Sequence, residues 1–131
     1  MSQESVALVR RLLECFVAGE VLWEALDEDV EVHDHDIPDA GEYRGHSGVL
    51  RWVEDWETGL PVLSFELQEF IDAGDAVVAV ILLKARGRDS TIDVERQDAI
   101  VYRFRNGRVI RFDYYNSRQQ GLEAVGLAEP S

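Results

Sequence analysis

Two histidines, His33 and His35, stand two positions apart in a segment where valine alternates with polar residues. Alternate residues of a β-strand point to the same face, so both imidazoles and Glu31 would lie opposite Val30 and Val32. A histidine titrates near neutrality and can accept or donate a proton at working pH. The pair therefore predicts acid/base groups at a cavity mouth, the alternative being hydrogen-bonded histidines at the rim of a sheet.

The same histidines could also begin a metal site. Glu31 or His46 would have to supply further ligands, and metal sites are recognised by several ligands at defined spacing. His33 and His35 are not accompanied by such a spacing. We therefore expect neither a metal nor any other cofactor.

An arginine and an aspartate, Arg96 and Asp98, interrupt a row of apolar residues. Counting by twos places them on the same face as Ile100 and Tyr102, unless a bulge intervenes. A neighbouring arginine lowers the pKa of a carboxyl group, whereas an apolar pocket raises it and lets the carboxylate take a proton from carbon beside a carbonyl. The pair is either a buried ion pair or a catalytic site. In the second case Arg96 would hold an enolate or carboxylate oxygen while Asp98 or His33 moves the proton.

Two tryptophans, Trp52 and Trp56, stand four residues apart in a segment with helical spacing. Together with Tyr43 they would form an aromatic wall for a flat ligand, or they are plain core. On the last strand Asp113 and Tyr115 share one face, opposite a more apolar set, so Asp113 could lie on the solvent side. The candidate substrate-binding residues are Tyr43, Trp52, Trp56, Tyr115, His35 and Asp113.

The elements that must hold these residues follow from the hydrophobic spacing. Spacings of three and four predict a helix from Val6 to Val17, ended by Gly19, and another after Ser47 that carries both tryptophans. A second short helix is expected at 20–26 and a strand at 30–35. From Val62 the period changes to two, which predicts strands near 62–71, 76–86, 91–104 and 109–116. Asn-Gly at 106–107 predicts a tight hairpin turn.

The order of these elements predicts the fold class. Consecutive strands with short connections must be antiparallel neighbours, because a parallel crossover needs a dozen residues or more. We expect an α+β fold in which a strongly curved, mostly antiparallel sheet forms a cone-shaped barrel around N-terminal helices. Such a cone leaves a cavity with apolar walls and a few polar groups. The length of 131 residues predicts a single domain, 1–131.

Charge and composition limit the partners. The net charge of −13 argues against nucleic acid and against anionic membrane surfaces, because both would be repelled. We find no run of about 20 apolar residues and no signal peptide, so a cytoplasmic protein is expected. Residues 78–83 are apolar on both faces of their strand. Since the helices can cover only one face, we predict a homodimer through the outer face of the sheet.

Several segments also carry a family resemblance: DVEVHD at 29–34, YRGHSGV at 43–49, RWVEDW at 51–56, FIDAGDAVVAV at 70–80, RNGRVIRF at 105–112 and GLEAVGL at 121–127. In this order the chain resembles the SnoaL-like polyketide cyclase group of the nuclear transport factor 2-like (cystatin-like) superfamily, from about 6 to 127. The resemblance implies a pocketed domain that usually pairs through its outer sheet face. Members include aldol cyclases, isomerases, epoxide hydrolases, dehydratases and proteins with no known reaction, so the fold alone does not choose.

The resemblance also points to one motif. In members that act on polyketides, an acid near the end of the last strand often accepts a proton, in a motif similar to Tyr-x-Asp-Arg. This chain has Tyr115, Asn116, Ser117 and Arg118 there. The tyrosine matches, but the acid is missing.

Together these observations predict a protein that holds a hydrophobic small molecule. The preferred function is a cofactor-free cyclase or isomerase that transfers a proton on a carbonyl-bearing ligand. One alternative is a binding module for a ligand or a protein partner, which the missing acid favours. Another is a dehydratase or an epoxide hydrolase, and epoxide hydrolysis would use Asp98, Asp113 and Arg96 around one water. An enzyme needs an unpaired acid or base facing the cavity, whereas a binding module can have a sealed ion pair.

Overall fold

The computed structural model describes residues 2–36, 41–59, 62–86 and 93–127. Within these ranges the chain forms three α-helices and six β-strands. In chain order they are α1 (Ser2–Val17), β1 (Leu26–Asp34), β2 (Glu42–Arg44), α2 (Gly45–Gly59), β3 (Val62–Asp72), β4 (Ala76–Arg86), β5 (Asp93–Arg105), β6 (Arg108–Tyr115) and α3 (Arg118–Ala124). A turn of 3₁₀-helix, Trp23–Ala25, precedes β1. None of the helices in these ranges is long and apolar enough to cross a membrane.

The six strands form one curled sheet in the order β2-β1-β6-β5-β4-β3. Neighbouring strands are antiparallel, except that β1 runs parallel to β6. The predicted α+β fold with a mostly antiparallel sheet is confirmed. The predicted barrel, however, does not close, because β2 and β3 remain the two edges of the sheet in the described part of the chain.

The turn between β5 and β6 sets the register of the sheet. Asn106 and Gly107 have φ values of 54° and 78°, the positive values that a tight primed hairpin turn requires. Beyond an irregularity next to the turn, Ile100 pairs with Tyr114 and Val101 pairs with Asp113. This register decides which side chains of the two strands share a face.

The hydrophobic core lies between the concave face of the sheet and the helices α1 and α2. Val9 of α1 is fully buried there, as are Val30 and Val32 of β1. Burial of such side chains contributes about 1.5–3 kcal/mol each. The alternating pattern of β1 therefore turns its valines towards the helices and its histidines away from them.

The outer face of the sheet carries a second apolar cluster, which α3 covers in part. Gly121 of α3 comes so close to β5 that a Cβ atom at this position would lie 2.6 Å from the Cβ of Ala99 and 3.5 Å from Val78. The expectation that helices cover only one face was therefore wrong, because a short C-terminal helix packs on the other. That expectation was the argument for a homodimer. Dimerisation stays a prediction, which light scattering after size-exclusion chromatography would test.

Two short elements differ from the sequence prediction. The helix expected at 20–26 is reduced to the 3₁₀ turn, and β1 begins at Leu26 because this residue pairs with Val109 of β6. The strand β2 was not predicted, since three residues are too few to show a period of two. It pairs with β1 through Val32 and Tyr43.

Candidate functional site

A cavity of about 620 Å³ lies between the concave face of the sheet and the helices α1 and α2. Its walls are mainly apolar, and helical spacing brings Trp52 and Trp56 to the same side of α2. The aromatic lining residues include Phe16, Trp52, Trp56, Phe65, Phe112 and Tyr114. Volume and lining are typical of a small-molecule pocket.

Asp98 is the most buried acid next to this cavity, with no exposed surface. Arg96 donates to both of its oxygens, from Nε to Oδ1 at 2.6 Å and from Nη2 to Oδ2 at 3.0 Å. The hydroxyl of Tyr114, which lines the cavity, donates to Oδ2. Burial raises the pKa of Asp98 above its usual range, although the hydrogen bonds from Arg96 and Tyr114 oppose this shift.

Arg96 also contacts a second carboxylate. Its Nη2 lies 2.9 Å from Oδ2 of Asp36, and Asn116 donates to Oδ1 of the same residue at 3.1 Å. The hydrogen bond to Asp98 is the main cause of a raised pKa in Arg96. One cation therefore faces two acids, and a proton on Asp98 would make the three groups neutral together. The charge on Asp36 thus adds to the burial that raises the pKa of Asp98.

A third acid, Asp34 at the end of β1, supports the tryptophan wall. Its side chain is buried, and Oδ2 accepts the indole N–H of Trp52 at 2.7 Å and that of Trp56 at 2.8 Å. Its Oδ1 accepts the backbone N–H of Asp36 at 2.9 Å. The same residue thus connects α2 to the loop that carries Asp36.

Tyr102 adds a polar group to the mainly apolar wall. Burial alone raises the pKa of its hydroxyl, and no described residue forms a hydrogen bond with it. Among the described residues that are not exposed, every side-chain nitrogen or oxygen shut off from solvent has a hydrogen-bond partner. The Tyr102 hydroxyl therefore keeps some accessible surface, although the residue is only 2% exposed, and Tyr102 lines the cavity.

The structure places His33 on the outer face of the sheet, contrary to the expectation that it lies at the cavity mouth. Because Val30 and Val32 turn to the core, His33 must point the other way. Its Nε2 lies 3.0 Å from Glu31, and its Nδ1 lies 3.6 Å from Glu42. In this position His33 cannot reach a ligand in the cavity.

His35, Asp113 and Tyr115 also lie on the outer face, and they contact one another there. His35 stacks on Tyr115, with ring centroids 4.5 Å apart, and its Nε2 lies 2.9 Å from Asp113. Burial acts to raise the pKa of Asp113, but the hydrogen bonds from Arg111 and His35 outweigh it, so the pKa is lowered. These three candidates form a cluster of their own, separated from the cavity by the sheet.

Tyr43 does not line the cavity either. It is buried between β1 and α2, and its hydroxyl donates to Asp55 at 2.7 Å. Burial, followed by this hydrogen bond, raises the pKa of Tyr43 to about 12. Of the predicted wall, the structure brings only Trp52 and Trp56 to the cavity.

The position of the missing motif acid has a structural role in this chain. Ser117 is the N-cap of α3, and its hydroxyl oxygen accepts the backbone N–H of Gln120 at 3.1 Å. Such a cap satisfies one of the free N–H groups at the start of a helix. The side chain of Ser117 is therefore used for folding.

Sequence reasoning missed three residues of the site: Asp34, Tyr114 and Tyr102. Each had a signal in the alternation of its strand. Asp34 follows the inward valines of β1, while Tyr114 follows Phe112 on the apolar face of β6. Tyr102 was read only as part of an apolar row.

The model of the SnoaL-like domain matches residues 9–112. No curated protein matches the sequence significantly.

Similar solved structures confirm the fold. A protein of unknown function with an NTF2-like fold from Burkholderia pseudomallei is 21% identical, with a TM-score of 0.72 over 94% of this chain and 98% of that one. TerC, co-crystallised with polyporic acid, is 18% identical, with a TM-score of 0.74 over 93% and 98%. A protein with a ketosteroid isomerase-like fold from Catenulispora acidiphila, in complex with trimethylamine, is 17% identical, with a TM-score of 0.67 over 88% and 92%. Since the family model spans most of the chain and these folds agree, the protein belongs to the SnoaL-like domain family.

Proposed function

We propose that the protein binds a largely apolar small molecule in the cavity, with an oxygen atom of the ligand accepting a hydrogen bond from Tyr102. The observation that carries this proposal is a hydroxyl that has no hydrogen-bond partner among the described residues and belongs to the wall of a mainly apolar cavity of about 620 Å³. Small-molecule pockets combine apolar walls with a few polar groups that orient the ligand. A carbonyl oxygen is a suitable acceptor.

The pairing of Asp98 supports binding over direct base catalysis. Both oxygens of Asp98 accept hydrogen bonds, from Arg96 and from Tyr114, and the residue has no exposed surface. Tyr114 lines the cavity and Asp98 does not, so a ligand would contact Tyr114. Two of the structural neighbours were crystallised with small organic molecules, polyporic acid and trimethylamine, which agrees with a ligand-binding role for this fold.

Proton transfer of the isomerase or cyclase type is the second candidate, and the hydrogen bond from Tyr114 to Asp98 favours it. The oxygen of Tyr114 would take a proton from the carbon beside a ligand carbonyl while its own proton passes to Asp98. The step starts from ionised Asp98, and because burial raises its pKa, this carboxylate is a stronger base than an ordinary aspartate. Tyr102 would then stabilise the enolate oxygen by donating a hydrogen bond.

The structure separates the residues that the sequence suggested for epoxide hydrolysis. This reaction required Asp98, Asp113 and Arg96 around one water, but Asp113 lies on the outer face. The second carboxylate that contacts Arg96 is Asp36.

Binding of a neutral fluorescent dye tests the first proposal. Nile red has an apolar ring system with a carbonyl oxygen, and we expect it to bind the wild-type protein. Removal of one neutral hydrogen bond in Tyr102→Phe should weaken binding by about fivefold. Tyr115→Phe, the same change on the outer face, should leave the affinity unchanged. Absence of wild-type binding, or an equal effect of both variants, would contradict the proposal.

Deuterium uptake separates binding from catalysis. Small ketones would be incubated with the protein in heavy water, and exchange at the carbon beside the carbonyl followed by NMR. Proton transfer predicts exchange above the buffer rate that Tyr114→Phe and Asp98→Asn abolish, whereas His33→Ala leaves it unchanged. If dye binding persists without exchange, the binding function stands alone.

A further inference from the structure

Asp34 is a buried carboxylate that the proposed function does not use. Its relative exposure is 3%, and no described lysine or arginine forms an ion pair with it. Its hydrogen-bond donors are the indoles of Trp52 and Trp56 and the backbone N–H of Asp36. Burying a carboxylate is costly unless strong hydrogen bonds compensate, and two of the three compensating bonds here come from tryptophans of the cavity wall.

We propose that Asp34 is a positioning residue that fixes Trp52 and Trp56 as the rigid wall of the ligand site and thereby determines which ligand shapes fit. This inference rests on the proposed binding function, because both tryptophans line the cavity. Asp34 itself does not line it and acts on a ligand through the two indoles.

Both indoles donate to the same atom of Asp34. The N–H groups reach the same oxygen, Oδ2, at 2.7 and 2.8 Å, from residues one helical turn apart on α2. Tyr114 packs against both rings, with centroids 5.9 Å from Trp52 and 5.2 Å from Trp56. Without the carboxylate, each N–H would be left without a partner or would turn towards another acceptor. Either change alters the shape of the wall.

Asp34 is itself held in place by the backbone. Its N–H donates to the carbonyl oxygen of Gly41 at 2.6 Å, and the carbonyl oxygen of Asp34 would lie only 2.1 Å from a Cβ atom added at Gly41. Through Asp36, which accepts hydrogen bonds from Arg96, the same segment joins the polar cluster around Asp98. Segment 34–36 therefore contacts both the tryptophan wall and this cluster.

Indole NMR signals give a direct test that needs no ligand. The chain has three tryptophans, and Trp23, which packs against His46 and does not contact Asp34, is an internal control. In Asp34→Asn the weaker acceptor should shift the indole N–H signals of Trp52 and Trp56 and leave that of Trp23 in place. Unchanged signals for Trp52 and Trp56 would overturn the inference, whether or not the protein binds a ligand.

Nile red affinity tests the link to the ligand. Asp34→Asn should weaken dye binding by about tenfold, the size expected for charge-assisted hydrogen bonds. In a Trp52→Phe/Trp56→Phe background, which keeps aromatic rings without N–H groups, the same change should have no further effect. Equal losses in both backgrounds would show a general structural role and overturn the inference. If the wild type fails to bind the dye, the proposed function fails, while the NMR result still decides the role of Asp34.

Single tryptophan variants cover the case in which Asp34→Asn does not fold. Trp52→Phe and Trp56→Phe each remove one N–H donor to Asp34, and each should weaken Nile red binding by about threefold or more. Trp23→Phe is the matched control, because it makes the same chemical change away from Asp34. The same affinity in all three variants would overturn the inference.

Discussion

The chain carries two arginine-x-aspartate pairs on neighbouring strands, Arg96 with Asp98 on β5 and Arg111 with Asp113 on β6. In both pairs the arginine donates to both carboxylate oxygens. The two acids are almost equally buried, with relative exposures of 0% and 3%. Yet the pKa of Asp98 is raised and that of Asp113 is lowered.

Burial acts to raise the pKa of both acids, and the two differ in the third partner and the charges around each one. Asp98 faces the core side, where its other donor is the neutral hydroxyl of Tyr114 and Asp36 adds a second negative charge. Asp113 faces the outer side, where its other partner is His35. The same local sequence therefore gives a raised pKa to the acid next to the cavity and a lowered pKa to the acid on the opposite face.

Removing each acid should give the largest contrast. Asp98→Ala takes away one of the two carboxylates that Arg96 contacts and leaves the Tyr114 hydroxyl without its acceptor, so the free energy of unfolding should fall by about 3 kcal/mol. Asp113→Ala should cost about 1 kcal/mol, because the side chains of Arg111 and His35 are 42% and 43% exposed and water can replace the lost bonds.

Urea denaturation of both variants measures this contrast. Dye binding is the second readout, since only the cavity-side change should affect it. Equal destabilisation by the two substitutions would show that the face of the sheet does not matter, and the comparison would fail.

A smaller contrast is expected between the adjacent tyrosines of β6. Tyr114→Phe removes the hydroxyl that donates to Asp98 and should destabilise the fold by about 2 kcal/mol. The Tyr115 hydroxyl makes no hydrogen bond with the described residues, so Tyr115→Phe should change stability by less than about 0.5 kcal/mol. Thermal unfolding followed by circular dichroism compares the two variants, and a larger effect from Tyr115→Phe would contradict the assignment of faces.

The fold was predictable from the sequence because long strands and helices repeat their signal many times. The alternation of β5 correctly placed Arg96 and Asp98 on the core side, and the turn at Asn106 and Gly107 fixed the register. A strand as short as β2 carries no such repetition. The start of β1 was placed four residues too late for another reason, because Asp27, Glu28 and Asp29 break the apolar alternation and the pairing of Leu26 with β6 leaves no local pattern.

The site was less predictable, because its residues were chosen by their chemistry and not by the face of the sheet on which alternation places them. His33 and Tyr115 have the chemistry of an active site, but alternation with Val32 and Tyr114 turns them outward. Asp34 looks like an ordinary polar residue at the end of a strand. Its role depends on indoles from α2, 18 and 22 positions further along the chain, and no local pattern shows that contact.

The smallest expected effect is the opposite pH dependence of the two acids. Folding raises the pKa of Asp98 from its ordinary value of 3.8, so the protonated form is favoured in the folded state. Its contribution to stability is fully present below that value and is lost as pH rises through the folded-state pKa. Folding lowers the pKa of Asp113 from 3.8, so its contribution is present above that value and is lost as pH falls through the lowered pKa.

Asp98→Asn and Asp113→Asn should therefore change the pH profile of stability in opposite directions. The free energy of unfolding would be measured with urea from about pH 3 to about pH 7 for the wild type and both variants. The difference in free energy of unfolding between wild type and Asp113→Asn should shrink towards low pH. The wild type should lose stability relative to Asp98→Asn as pH rises. Parallel profiles would mean that Arg96 holds Asp98 ionised like its outer counterpart. The relay from Tyr114 to Asp98 would then lose its proton acceptor, because a carboxylate held ionised by arginine is a weak base.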